Sequence, residues 1–158
     1  MIHLVENAKI RQIHEPKAGP NDTTDIGNYV NLAEAHMCYI VVNVDEGAAN
    51  DYKLRLWQTD GTTPKALAKT VPVWVNDDAD DMAEDFERQT NAVLADIDAG
   101  TNEVLVVFQV DPAKLDIEND YHSISVQIDS DTDNTDASGY TFAATAYVLP
   151  ARYQHATD

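Results

Sequence analysis

Glu103-Val104-Leu105-Val106-Val107-Phe108-Gln109-Val110 is the densest run of β-branched and aromatic residues in the chain, and it stops at Asp111-Pro112. The run is too short for a buried helix of ordinary length. A continuous apolar run of this size, bounded by a turn signal, reads as a strand buried on both faces at the centre of a sheet.

Working outward, the flanking segments carry the same signature. His36 to Val44 is a second strongly β stretch, and Glu46-Gly47 and Asn50-Asp51 punctuate it. Tyr52 to Gln58 alternates with period two, and Asp60-Gly61 follows at once as a tight turn suited to positive φ. Val71 to Val75 resumes β character. Pro72 inside it predicts an edge strand or a strand start, because proline cannot donate to a ladder. Tyr29-Val30-Asn31-Leu32, Val93 to Ile97, Tyr121 to Ile128 and Thr141 to Leu149 read as further short strands. Asp77 to Glu87 has helical spacing at Ala79, Met82, Ala83 and Phe86, with Asn76 or Asp77 to cap it, but reads first as an acidic loop feeding a strand. The other helical signals are single turns, at Thr63-Pro64-Lys65-Ala66-Leu67 and at Asp111-Pro112-Ala113-Lys114-Leu115, each with a cap followed by proline. Seven to nine short strands, turn signals about every ten residues and almost no helix predict a mostly β chain, an antiparallel β-sandwich or barrel. The organisation expected is a breaker-rich arm or loop over residues 1–28, a β-sandwich domain over 29–153 and a polar tail over 154–158.

The chain has 158 residues, which suggests one domain. That is enough to bury a core without a disulfide or metal staple. The one cysteine, Cys38, lies in the apolar run Met37-Cys38-Tyr39-Ile40 and reads as a small core side chain. Met1 to Glu6 has neither the basic start nor the apolar centre of a signal peptide.

Charge is the strongest compositional fact. Ten Lys and Arg stand against 28 Asp and Glu, a net charge of −18. Nucleic-acid affinity comes largely from cations that displace counterions, so a phosphate backbone is an unfavourable partner. An anionic membrane surface is disfavoured for the same reason. Salt screens self-repulsion of this size, so a halophilic or marine origin and an ordinary acidic surface are both consistent with it.

The chemistry-bearing motifs are sparse. Asp129, Asp131, Asp133 and Asp136 alternate along an Asp-rich stretch, as the oxygens of Ca²⁺ loops do. Asn134 stands where such a loop has glycine, and Tyr140 where it has its final glutamate, so a solvated hairpin tip is the plainer reading. Asp77, Asp78, Asp80 and Asp81 read the same way. None of His3, His14, His36, His122 and His155 has the paired spacing of a zinc site. His122 falls on the apolar side of its strand and is expected to be a hydrogen-bonded core residue. Trp57 and Trp74 are candidates for a sugar-stacking platform, although Trp74 in an apolar strand reads first as core. No Gly-rich phosphate loop and no nucleophile–base motif is present, so no cofactor and no catalysis are expected.

Several segments, in order, resemble a family of tailed-bacteriophage virion structural proteins of the head-decoration or capsid-stabilising kind. They are Gly27-Asn28-Tyr29-Val30-Asn31-Leu32, Ala35-His36 leading into Tyr39-Ile40-Val41-Val42, Lys65-Ala66-Leu67, and Val71-Pro72-Val73-Trp74. Arg88-Gln89-Thr90 with Ala92, then Val106-Val107-Phe108 with Val110-Asp111-Pro112 and Leu115-Asp116, continue the series. Ala146-Tyr147-Val148-Leu149 and Arg152-Tyr153 end it. They are mostly core-strand patterns. The resemblance implies a cement protein on the outside of a phage head, with the major capsid protein as partner and a homotrimer as the assembly. It carries no catalytic residues. A tail or head–tail joining protein, and a non-viral β-sandwich binding glycan or Ca²⁺, are the competing readings.

Overall fold

The computed structural model describes residues 8–18, 25–46, 52–79, 85–97, 103–130 and 140–151. Its strands are Lys9–Ala18 (β1), Asp25–Ile26 (β2), Val30–Asn31 (β3), Ala35–Glu46 (β4), Tyr52–Thr59 (β5), Pro64–Ala66 (β6), Val71–Asn76 (β7), Glu87–Ala92 (β8), Leu94–Ile97 (β9), Glu103–Val110 (β10), Ser123–Ser130 (β11) and Tyr140–Pro150 (β12). They form two antiparallel sheets. The first, sheet A, has the order β1-β12-β4-β10-β7-β8. The second, sheet B, has β11 and β5 at its centre. Its outer columns are divided: β2 and β3 share one side of β11, and β6 and β9 share one side of β5. The expected mostly β, antiparallel, single-domain fold is what forms. Among the described residues strands number twelve rather than seven to nine: β1 forms where an arm or loop was expected, and β2 and β6, of two and three residues, are too short to leave a periodic pattern in sequence.

The core lies between the sheets and follows from period two. Cys38, Ile40, Val42 and Val44 of β4 face Val104, Val106, Phe108 and Val110 of β10, all of them buried. Phe142, Ala144, Ala146 and Val148 of β12 extend that layer. Tyr52, Leu54 and Leu56 of β5 and Ile124, Val126 and Ile128 of β11 form the opposing layer. Burying one Leu, Ile, Val or Phe side chain stabilises by roughly 1.5–3 kcal/mol, so these rows carry the fold.

Both sides of the sandwich are stitched by backbone. Asn28 N–H donates to Ile13 O (2.9 Å) and Gly27 N–H to Val126 O (3.2 Å), joining β1 of sheet A to β11 of sheet B. On the far side the chain passes from β8 to β9 within two residues, and Leu56 N–H donates to Val93 O (3.0 Å). Sequence expectation and structure part in several places. Residues before 29, expected as an arm or loop, supply β1 along the edge of sheet A and β2 in sheet B. Thr63 to Leu67 is no helical turn: Pro64–Ala66 pairs with β5, and the cap-like bonds come instead from Asp60, which accepts from Thr62 and Thr63 N–H (2.7 Å each). Pro72 sits within an internal strand, at the register shift between Val71 and Val73, where no ladder bond is needed from it. The Asp60-Gly61 turn forms as expected, with Gly61 at φ +97°. Pro112–Lys114 is the expected single turn, of 3-10 type, with the Asp111 carboxylate accepting from Ala113 N–H (2.9 Å).

Candidate interaction surface

The run that decides the fold, β10, is internal to sheet A but is not buried on both faces. Its even-numbered residues are buried, while Leu105, Val107 and Gln109 point outward and remain part-exposed. An apolar run needs cover on both sides, and the second sheet supplies only one.

The same face continues across the neighbouring strands in register. One row runs Thr145, Val41, Val107, Trp74 across β12, β4, β10 and β7. The next runs Tyr147, Tyr39, Gln109, and a third runs Ala143, Asn43, Leu105, Asn76. Ile10 of β1 stands beside Tyr147 and is 42% exposed. None of these positions carries a charge, in a chain with 28 acidic residues. The nearest carboxylates on this face, Asp45 and Glu103, pair with each other at its end. Across the five strands β1, β12, β4, β10 and β7, at the usual strand spacing and rise, the face has a footprint on the order of 300 Å². Depletion of charge with part-exposed tyrosine and tryptophan is the compositional mark of an interface centre.

A groove of ≈560 Å³ opens beside β1 where the two sheets meet, walled by Lys9, Arg11, Gln12, Tyr29, Val148 and Pro150 among others. The Tyr29 hydroxyl oxygen is buried and has no hydrogen-bond partner among the described residues, and burial pushes its pKa up. Further along β1, His14 is buried and packs edge-on to the Phe142 ring at 4.8 Å. Its Nε2 lies 2.9 Å from Val126 O. A carbonyl only accepts, so this nitrogen carries the proton. Gly27 fits against it, and Ser125 Oγ donates to Gly27 O (2.8 Å). His14 thus serves as a buried polar pin between the sheets.

The other residues singled out in sequence fall as follows. Asp131, Asp133 and Asp136 lie outside the described residues; Asp129 stands on β11 opposite Lys53, its side chain likewise outside them. Asp80 and Asp81 are also outside, and Asp77 is exposed. Among the described residues, no three His, Cys, Asp or Glu side chains are grouped to hold a metal ion. His122 is not core. β11 begins at Ser123, after a turn in which Asp120 adopts a left-handed conformation (φ 62°), and this leaves His122 part-exposed with Nε2 3.8 Å from Asp120 Oδ1. Trp57 and Trp74 occupy the outer faces of different sheets and make no common platform. Trp74 is part-exposed because Val71 and Val73 take the inward positions of β7. Cys38 is fully buried as expected, and burial pushes its thiol up to about 12. The outward apolar face escaped the sequence reading, although its signal was there: unalternating strands in a fold with only two layers.

No family model and no curated protein matches the chain. Among solved structures, it is similar to the crystal structure of the SPBc2 prophage-derived protein YomS, at 10% identity over 90% of this chain and 93% of that one, with a TM-score of 0.47. It is also similar to the coat protein of Tobacco streak virus, at 13% identity over 96% of each chain, with a TM-score of 0.30.

Proposed function

We propose that this chain is a structural protein of a tailed-phage particle, a cement protein that adheres to the outer surface of the head and holds the shell closed. The observation that carries the reading is the part-exposed outer face of sheet A over β1, β12, β4, β10 and β7, free of charge between the Asp45–Glu103 end and Arg88 beside Trp74, with Trp74, Tyr39, Tyr147, Val41, Val107 and Leu105 in register. A surface of this kind gains from being covered by protein, at roughly 25 cal/mol per Å² of apolar area removed from water. A net charge of −18 sets the rest of the molecule against the packaged polyanion and favours the exterior of the shell. In this assignment the partner is the major capsid protein, the assembly is a homotrimer at local threefold positions, and the work done is interface burial across seams that would otherwise open. The role involves no catalysis and no cofactor.

Quantitative mass spectrometry of purified particles tests it. The expected result is a stoichiometric chain, in fixed ratio to the major capsid protein and removable without loss of the shell's own subunits. A few copies per particle would move the chain to a head–tail joint or tail. Particles devoid of it would overturn the assignment.

A further inference from the structure

Lys9 and Arg11 stand on the inner side of sheet A and yet remain exposed. Each is opposite a buried residue of β12, Lys9 to Val148 and Arg11 to Ala146, and directly opposed residues share a face. Elsewhere the sheet carries its core on that side. Here the opposing column of sheet B is divided between β2 and β3. The two sheets are closed at the level of Ile13, whose carbonyl accepts from Asn28 N–H (2.9 Å). From Gln12 back to Lys9 the strand lines the groove of ≈560 Å³ instead. That volume lies within the roughly 300–1,000 Å³ of ordinary ligand clefts.

The lining is selective. Val30, Val148 and Pro150 supply apolar surface, Gln12 and Asn28 supply amides, and Glu34 is the one acid against the two cations. Among the described residues no carboxylate pairs with Lys9 or Arg11. The side-chain hydrogen bond that Arg11 makes is to the carbonyl of its neighbour Ile10 (3.1 Å). In a chain with 28 acids and ten bases, two unpaired cations in one recess make a local site for an anion. A guanidinium takes a carboxylate through two parallel bonds. A phosphate backbone draws its affinity from many cations at once and is repelled by a chain at −18, whereas two cations suit a short acidic segment.

We infer that the groove takes an extended acidic segment of a partner protein, laid along Lys9–Gln12 with carboxylates two residues apart on Lys9 and Arg11. Those two side chains are about 6.6–6.8 Å apart along the strand, at 3.3–3.4 Å per residue, and an extended ligand repeats its own side chains at the same interval. Among the described residues no strand pairs with the side of β1 away from β12, so the segment meets an open edge there. Inward-pointing charges on an edge strand turn away strands that do not match them; carboxylates at this spacing match. The residue between the two carboxylates then falls beside Ile10, which is 42% exposed on the outer side. The recognised motif is therefore acid–apolar–acid. The inference rests on the groove and not on the outer face of sheet A, so its outcome is separate from that of the particle assignment.

The test is calorimetry on the purified full chain with three probes: a peptide alternating aspartate and valine, an isomer of the same composition with its aspartates in one block, and oligothymidylate. The alternating peptide is expected to bind saturably, more weakly as salt rises, and at least about tenfold more tightly than the block isomer, a difference near 1.4 kcal/mol. Lys9→Glu/Arg11→Glu, at two exposed positions, is expected to abolish that binding with the circular dichroism unchanged, and to bind an alternating lysine–valine peptide instead. Lys114→Glu, outside the groove, is expected to bind the aspartate peptide within about twofold of wild type, the shift left when only the screened net charge changes. Equal binding of the two isomers, no binding of either, or binding untouched by the double charge reversal overturns the inference. Tighter binding of oligothymidylate overturns it in favour of nucleic acid. Self-association of the chain that the same reversal abolishes overturns it in favour of a second copy.

Discussion

Trp74 and Val107 face each other across the β7–β10 ladder on the outward side of sheet A, both part-exposed, while their strand neighbours Val73 and Phe108 form a buried pair on the inward side. The two pairs differ by one position along the pleat and do different jobs. The inward pair holds the sheets together. The outward pair has no cover among the described residues of the two sheets. Trp74→Ala is therefore expected to cost little in folding, about 1 kcal/mol or less, and to weaken attachment to particles by about 2 kcal/mol or more, as interface tryptophans do. Phe108→Ala is expected to reverse the order, losing about 3–5 kcal/mol of stability. Denaturant titration and a particle-binding isotherm on each variant check this. Equal binding by Trp74→Ala and wild type would remove the outward face as the attachment surface.

Gly27 sits where β1, β11 and the β2–β3 connection converge. A Cβ there would lie 2.4 Å from Ile13 Cγ2 and 2.6 Å from His14 Nε2, both on buried side chains that have nowhere to move. Gly27→Ala is expected to destabilise by about 1–3 kcal/mol through overpacking. Gly61→Ala meets no neighbouring atom but forces alanine to φ +97°, a strain of about 1–2 kcal/mol. The two substitutions separate by mechanism: the first is expected to disturb the His14 contact with Val126 O, visible as a shifted imidazole resonance, and the second to leave it unchanged.

Most of the sheet was legible because period two and turn chemistry are local. Asp60-Gly61, Asp111-Pro112 and the β4 and β10 runs each state their structure within a few residues. What was not legible depends on tertiary packing. Whether Trp74 is core or surface depends on the twofold pleat counted from Val71, not on the residue's hydrophobicity. His122 misleads because the alternation of the strand reads back through Tyr121-His122 into the turn that precedes Ser123. His14 reads as part of a loop, since nothing in His14-Glu15-Pro16 announces that a bulge will turn both Ile13 and His14 inward. The candidate surface was half legible: β10 signalled a strand covered on both sides, and the sequence could not say that the second sheet covers only one of them.

Cys38 offers a clean reporter of opening. It is fully buried in β4 between β12 and β10, opposite Val148 and Val110, and burial holds its thiol at about 12. The thiolate is the reactive species, so the native chain is expected to resist a thiol reagent near neutral pH and to react at once in denaturant. Labelling in the absence of denaturant should then follow the population of the open state. Rapid modification of the native chain, with the sheet's circular dichroism intact, would contradict the buried placement.

The turn that carries residues 116–121 is clasped to sheet B by Lys65. Its Nζ donates to Asp116 Oδ2 and lies 3.9 Å from the centroid of the Tyr121 ring. Asn119 Nδ2 donates to both Asp116 oxygens (3.0 Å each), and Asp116 N–H donates to Gln58 Oε1 (2.9 Å). The hydrogen bond from Lys65, then that from Asn119, holds the Asp116 carboxyl below its ordinary range, and the same Lys65–Asp116 bond raises the Lys65 ammonium. A carboxylate with a lowered folded-state pKa contributes stability above its unfolded value and loses it as pH falls through the folded one. A raised ammonium contributes below its unfolded value and loses it as pH climbs through the folded one. Asp116→Asn is therefore expected to lie below wild type by a constant margin across neutral pH, with the margin closing toward strong acid and again toward strong base. Asp60, lowered by the N–H groups of Thr63 and Thr62, titrates in both chains and drops out of the difference. The pair is part-exposed, so salt should narrow the neutral margin as well. Denaturant midpoints measured against pH, at two salt concentrations, decide it: a margin that stays flat into acid would mean that the clasp holds by shape and not by charge.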